Sequence, residues 1–314
     1  MNEITTRRIL AIHPKWTGHI ILNSSGAARH EKYGTTGSYV LNKTTLRINW
    51  DKYAPEVFVS FGDTFIHQEI VDCTADAVKL RFAKLYGQTF EVGEISVRTP
   101  IEGCEVHLRV GTSDVPTFRQ VFVARDYDSP NLPDTAKTII DIGANIGLSA
   151  VFFAAKYRDA RVLAVEPDEA NYQLLKRNTS VFGPRVTSER AAAWVSDGEI
   201  SFATQDSKGN PLGAWGGQVS THPCDTVVPC ISIASLLRKY DIDKVDILKV
   251  DIEGAEQEIF GATDTEWLSA VDLVVIETHD RFKPGSDKAV KDALRDEFDQ
   301  LRTKGENLYF KRKA

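Results

Sequence analysis

From Thr138 onward, short apolar runs alternate with stretches of helical periodicity, and no other feature of the chain restricts its fold as tightly. TIIDIG at Thr138, RVLAVEP at Arg161, DILKVDI at Asp246 and VDLVVIET at Val271 have strand length and almost no polar face. Between and after them, GLSAVFFAAKY, DEANYQLLKRNTS, ISIASLLRKY, AEQEIFGA and KAVKDALRDEFDQLRTKG read as helices. Strands apolar on both faces, each followed by a helix, call for a mostly parallel sheet with helices on both faces. The first helix is expected to be amphipathic, and Asp168 to cap the second. The last helix is expected to run from Lys288 to Gly305, with ENLYFKR as a closing strand. VTSERAAAWV and GEISFAT read as two strands about the turn Ser196-Asp197-Gly198.

The chain before this region has a different texture. HIILN, SYVLN, TLRINW and VFVSF are short runs bounded by turn residues, and Leu46, Ile48 and Trp50 alternate onto one face. They predict a small antiparallel β module over residues 1–72. A hairpin turning at PIEG and a short helix follow over 73–133, the helix capped by Ser113 or Asp114 and carrying Phe118, Val121 and Phe122. The α/β domain occupies 134–314. With 314 residues, 42% of them hydrophobic, the chain has apolar material for more than one compact unit.

A formal net charge of -6 speaks against a broad nucleic-acid surface, which needs basic patches to neutralise phosphates. No run approaches the roughly 18 apolar residues of a membrane helix. The first residues lack the apolar core of a signal peptide, so the expected location is the cytoplasm. Cys73, Cys104, Cys224 and Cys230 lack paired metal-ligand spacing and read as reduced thiols.

In open α/β sheets, ligands bind beyond the carboxyl ends of the strands. Asp141 closes the first strand, Gly143 and Gly147 allow a tight turn, and Glu166 ends the second strand, where a carboxylate can accept both hydroxyls of a ribose. Gly143-Ala144-Asn145-Ile146-Gly147 does not supply the spacing that brings a helix N-terminus against a pyrophosphate. Asp141 would repel a pyrophosphate and suit an ammonium group. Ribose, ammonium and no phosphate together indicate S-adenosylmethionine rather than NAD.

IIDIGANIGLSAVFFA, AVEPDEANYQLLKRN, ILKVDIEGAEQEIF and VVIETHD, with RVGTSDVPTFRQVF upstream, resemble the FkbM family of S-adenosylmethionine-dependent methyltransferases. The resemblance extends from about Val106 to the C-terminus. It implies a class I methyltransferase, Rossmann-like fold that methylates hydroxyls, often on sugars or polyketide-type products. Within it, Asp141, Gly143, Ala144, Asn145 and Gly147 match the cofactor loop and Glu166 the ribose-binding acid. Two departures stand out. Arg190-Ala191-Ala192-Ala193 offers no acid for the adenine amine, and the terminal β-hairpin of that fold looks short.

A hydroxyl is a poor nucleophile, so a general base near the strand tips would speed the transfer. Asp251 and Glu253 follow one apolar strand, and Glu277 and His279 end another. His279 has the best-placed ordinary pKa for a base, and a carboxylate would serve if burial raised its pKa. With Asp280, these residues also offer ligands for a hard divalent ion, an idea ranked below metal-free catalysis. Trp16, Tyr33, Tyr39, Trp50, Tyr53 and Phe58, interleaved with Arg29, His30 and Asp51, suit either a core or a sugar-contacting face. The expected partner is a small-molecule or glycan acceptor. Two other readings share these residues: a non-catalytic glycan-binding protein of the same fold, and an NAD-dependent oxidoreductase.

Overall fold

The computed structural model describes residues 6–13, 16–42, 45–61, 64–67, 79–82, 93–101, 104–109, 112–203, 217–220, 226–280 and 283–313. Two compact units divide at Val123. In the first, β1 (Thr6–His13), β2 (Trp16–Asn23), β3 (Ala27–His30), β4 (Thr36–Leu41), β5 (Thr45–Trp50), β6 (Glu56–Phe61) and β7 (Thr64–His67) form a closed barrel. Successive strands pair antiparallel as expected, but β7 closes the barrel by pairing parallel with β1, Ala11 opposite Phe65. Alternation explains the core: Leu46, Ile48 and Trp50 point inward with Ile9, Ile20, Leu22, Phe58 and Phe65. The aromatic set therefore splits. Trp50 and Phe58 are core, with Trp50 Nε1 donating to Glu56 at 2.8 Å, whereas Tyr33 and Tyr53 are exposed. The Trp16 side chain, the expected boundary at Asp72, and Cys73 and Cys224 lie outside the described residues.

β8 (Lys79–Phe82), β9 (Gly93–Arg98) and β10 (Glu105–Arg109) follow as an antiparallel sheet that contains the expected hairpin. The helix α1 (Asp114–Phe118) begins where expected, but the Ser113 side chain does not cap it. Instead Asp114 is fully buried in a two-pronged ion pair with Arg109, and its own N–H donates to Thr112 Oγ1.

The second unit runs β11 (Thr138–Ile142), α2 (Leu148–Lys156), β12 (Arg161–Val165), α3 (Glu169–Thr179), β13 (Val186–Glu189), β14 (Ala192–Ala193), β15 (Gly198–Ala203), β16 (Gln218–Ser220), β17 (Val227–Ile231) and α4 (Ile233–Lys239). It continues with β18 (Ile247–Val250), α5 (Glu256–Gly261), β19 (Leu273–Glu277), α6 (Ser286–Leu294), β20 (Phe298–Gln300) and β21 (Asn307–Arg312). Seven strands form one sheet in the order β13-β12-β11-β18-β19-β21-β20, all parallel except β21, which pairs antiparallel with both its neighbours. This is the mostly parallel, Rossmann-like architecture expected from the sequence. Ile140, Ile142, Leu248, Val250, Val274 and Ile276 pack on one face against α4, α5 and α6. Asp141 and Lys249 alternate to the other face, where Ser149 of α2 bonds Asp141. Among the described residues, no helix is long and apolar enough to cross a membrane.

Three expectations change. Eight of the nine residues of α2 are buried, Leu148 through Ala155, so this helix is enclosed rather than amphipathic. VTSERAAAWV is two strands: Val186–Glu189 joins the main sheet, while Ala192–Ala193 pairs with β17 in a satellite sheet with β15 and β16. The predicted long helix stops at Leu294, and Phe298–Gln300 pairs antiparallel with β21. The terminal hairpin that looked short is complete, its first strand hidden in a helical-looking sequence.

Candidate active site

Chain order leaves β11 toward β12 and β13, then returns to β18 on its other side, so strand order reverses between β11 and β18. A crevice opens at such a point, and it places the glycine loop against the tip of β18. The Asp251 N–H donates to the Ile142 carbonyl at 3.0 Å. Gly143 and Gly147 both have left-handed backbone, φ 74° and 85°. A Cβ on Gly143 would stand 1.7 Å from the Asp251 carbonyl oxygen, and one on Gly147 would stand 2.6 Å from Leu175 Cδ1. Both positions therefore require glycine.

The loop is fixed by its peptide groups. The N–H groups of Gly143 and Ala144 both donate to the Val165 carbonyl at 3.0 Å, and the Gly147 N–H donates to Ala144. Glu166 sits across from the loop at the end of β12. Its Oε2 accepts the Asn145 N–H at 2.9 Å and its Oε1 the Asp168 N–H at 3.0 Å. Burial pushes the Glu166 pKa up to about 7, although the two N–H groups oppose the shift. Asn145 is itself left-handed at φ 50°, and its Oδ1 is buried with no hydrogen-bond partner among the described residues. The sequence-predicted residues Gly143, Ala144, Asn145, Gly147 and Glu166 thus come together around one turn.

Asp141 lies behind that turn. It is fully buried, and its Oδ2 accepts from Ser149 Oγ at 2.6 Å. The cation that meets its charge is Lys249, whose Nζ is 3.1 Å from Asp141 Oδ1. Burial pulls the Lys249 pKa down, but Asp141 and the neighbouring acids outweigh it and hold the ammonium charged. The acid expected to face a ligand ammonium is thus already paired within the protein. Lys249 was missing from the sequence-based candidates; its signal is a lysine inside the apolar run ILKV, a strand buried at all four positions.

The strand tips gather the remaining candidates. His279 is buried, with Nε2 3.4 Å from Glu277, 3.6 Å from Asp251 and 3.7 Å from Glu253. Its Nδ1 lies 2.6 Å from Oε1 of Glu256, a fully buried acid at the start of α5 that sequence reasoning also missed. Burial alone would lower the imidazole pKa, yet the hydrogen-bonded Glu256 and Glu277, with the charges of Glu253 and Asp251, push it up to about 11. These surroundings favour the protonated ring, against the expectation of His279 as a base near neutrality. Burial and the Asp251 charge raise the Glu277 pKa against the opposing effect of His279. Asp251, Glu277 and His279 each offer a ligand atom within 4.8 Å of the others, a spacing compatible with a divalent ion. Asp280 instead accepts the Asp287 N–H at the start of α6.

The profile of the Methyltransferase FkbM domain matches residues 141–308, from the buried aspartate to the last strand. The chain belongs to the FkbM methyltransferase family. Among relatives, this methyltransferase is 26% identical over 195 residues to methyltransferase sdnD of Sordaria araneosa, covering 51% of this chain and 73% of that protein. It is 30% identical over 139 residues to the hexuronic acid methyltransferase AglP of Haloferax volcanii, covering 44% and 54%. An O-methyltransferase structure from Bacillus cereus overlaps 56% of this chain and 73% of that one, with TM-score 0.34 and 12% identity.

Proposed function

We propose that this FkbM methyltransferase transfers a methyl group from S-adenosylmethionine to a hydroxyl of a glycan or glycosylated metabolite. One observation carries the reading: the Gly143–Gly147 turn and Glu166 stand at the point of strand reversal beside the acids of two further strand tips. The buried Asn145 Oδ1 supplies an acceptor in want of a donor, and Glu166 retains lone pairs for a ribose diol. Asp251, Glu253 and Glu277 make the crevice hospitable to a cation and hostile to a pyrophosphate, which argues against NAD. S-adenosylmethionine, when bound, supplies an electrophilic methyl group on a sulfonium.

Glu277 takes the role of general base. Its raised pKa brings the carboxylate nearer to the pKa that proton abstraction at neutral pH requires. His279 holds Glu277 and Asp251 in place as a cation. Alignment of acceptor oxygen and methyl carbon contributes roughly 7–11 kcal/mol in favourable cases, the proton transfer a further ~10²–10⁴-fold. The N-terminal barrel, with exposed Tyr33 and Tyr53, offers aromatic faces of the kind sugars stack on. AglP acts as a hexuronic acid methyltransferase, which supports a sugar-derived acceptor here.

Calorimetric titration tests the cofactor. S-adenosylhomocysteine should bind saturably, NADH should not, and Glu166→Ala should weaken the former. Binding of NADH alone would overturn the assignment.

A further inference from the structure

Lys249 holds more than one carboxylate. Its Nζ lies 2.8 Å from the Gly143 carbonyl, 3.5 Å from the Ile142 carbonyl, 3.1 Å from Asp141 Oδ1 and 3.8 Å from Asp251 Oδ2. These acceptors come from the end of β11, the loop that follows it, and the tip of β18. Stability alone does not call for such an arrangement, because an apolar pair of similar volume often serves a core as well as a buried ion pair. What an apolar pair lacks is a donor for the Gly143 carbonyl, since that of Ile142 already accepts the Asp251 N–H.

The Gly143–Ala144 peptide is gripped at both ends: Lys249 donates to its carbonyl, and its N–H donates to the Val165 carbonyl. The next peptide is gripped at both ends as well. The Ala144 carbonyl accepts from the Gly147 N–H, and the Asn145 N–H donates to Glu166. Lys249 is thus the first clamp in a series that ends at Glu166. Releasing it frees the plane from which the later contacts are set.

We infer that Lys249 is a positioning residue, fixing the peptide plane of the cofactor loop and tying that loop to the strand tip bearing Asp251. Its consequence for ligand binding rests on the S-adenosylmethionine reading; its consequence for the loop does not.

Lys249→Met alone would strand the buried Asp141 charge, so the informative variant is Lys249→Met with Asp141→Asn, set beside Asp141→Asn alone and the Lys249→Gln/Asp141→Asn pair. Three readouts apply: thermal midpoint, amide hydrogen exchange at Gly143, Ala144 and Asn145, and titration with S-adenosylhomocysteine. The Met pair should melt within a few degrees of wild type, exchange at the loop amides at least about tenfold faster, and bind at least about tenfold more weakly. The Gln pair, which restores a donor, should regain part of the protection. Wild-type loop exchange in both double variants would reduce Lys249 to a plain ion-pair partner and overturn the inference. So would equal loosening by Asp141→Asn alone. Should wild type ignore S-adenosylhomocysteine while the Met pair still loosens the loop, the cofactor assignment falls and the role of Lys249 stands.

Discussion

Glu166 carries two backbone N–H groups on a carboxylate whose pKa burial pushes up to about 7. The neutral carboxyl contributes stability that is complete below its ordinary value near pH 4.5 and is lost as pH climbs through about 7, a swing of about 3 kcal/mol at most. Ligand binding should run the other way, since only the ionised form has full acceptor capacity for a diol. S-adenosylhomocysteine affinity should therefore rise about tenfold between pH 6 and pH 8, which titration at the two values would check. His279 has the opposite charge type and a pKa raised to about 11, so its stabilisation is complete below pH 6.5 and lost as pH rises through about 11. His279→Gln should cost on the order of 3–5 kcal/mol at pH 7 in urea unfolding, by stranding Glu256 and its neighbours, and should flatten the alkaline decline. The sequence named His279 but not its state. The acids around the ring come from two stretches, Asp251 to Glu256 and Glu277; all but Glu256 were legible as neighbours at the strand tips, but their closeness to the ring nitrogens was not.

At the scale of elements, the glycine turn was readable because its constraint is local: positive φ and close approach select glycine whatever surrounds it. Gly143→Ala should remove S-adenosylhomocysteine binding and lower stability by more than the ~1–2 kcal/mol of left-handed strain, because its Cβ also meets the Asp251 carbonyl. Gly147→Ala should be milder, since the Leu175 side chain it meets can shift. Titration and thermal melts of the two variants would rank them. The central strands were equally legible from their apolar runs. The segment after Leu294 was not, because Phe298 and Leu301, with polar Asp299 and Gln300 between them, satisfy a helical period, and only pairing with Asn307–Arg312 makes the strand. Lys249 was overlooked for a similar reason: within ILKV a lysine breaks an apolar pattern, and its partners lie on other strands and loops.

Across the whole molecule, the barrel core around Phe58 and the sheet core around Leu248 share no residue. Phe58→Ala should destabilise the barrel by about 3–5 kcal/mol while hydrogen exchange at Ile247–Val250 stays at the wild-type rate. The closed form of the barrel escaped the sequence reading because the closing β1–β7 pair joins its two ends, Leu10 to Thr64. Closure has a further effect. An open sheet border is a template on which a foreign strand can grow, and the barrel has removed its own. The main sheet keeps two borders but makes them brief, four residues in β13 and three in β20, with its most apolar strands shielded inside. In unfolded chains, by contrast, the interior runs TIIDI and LVVIE are laid open to such pairing.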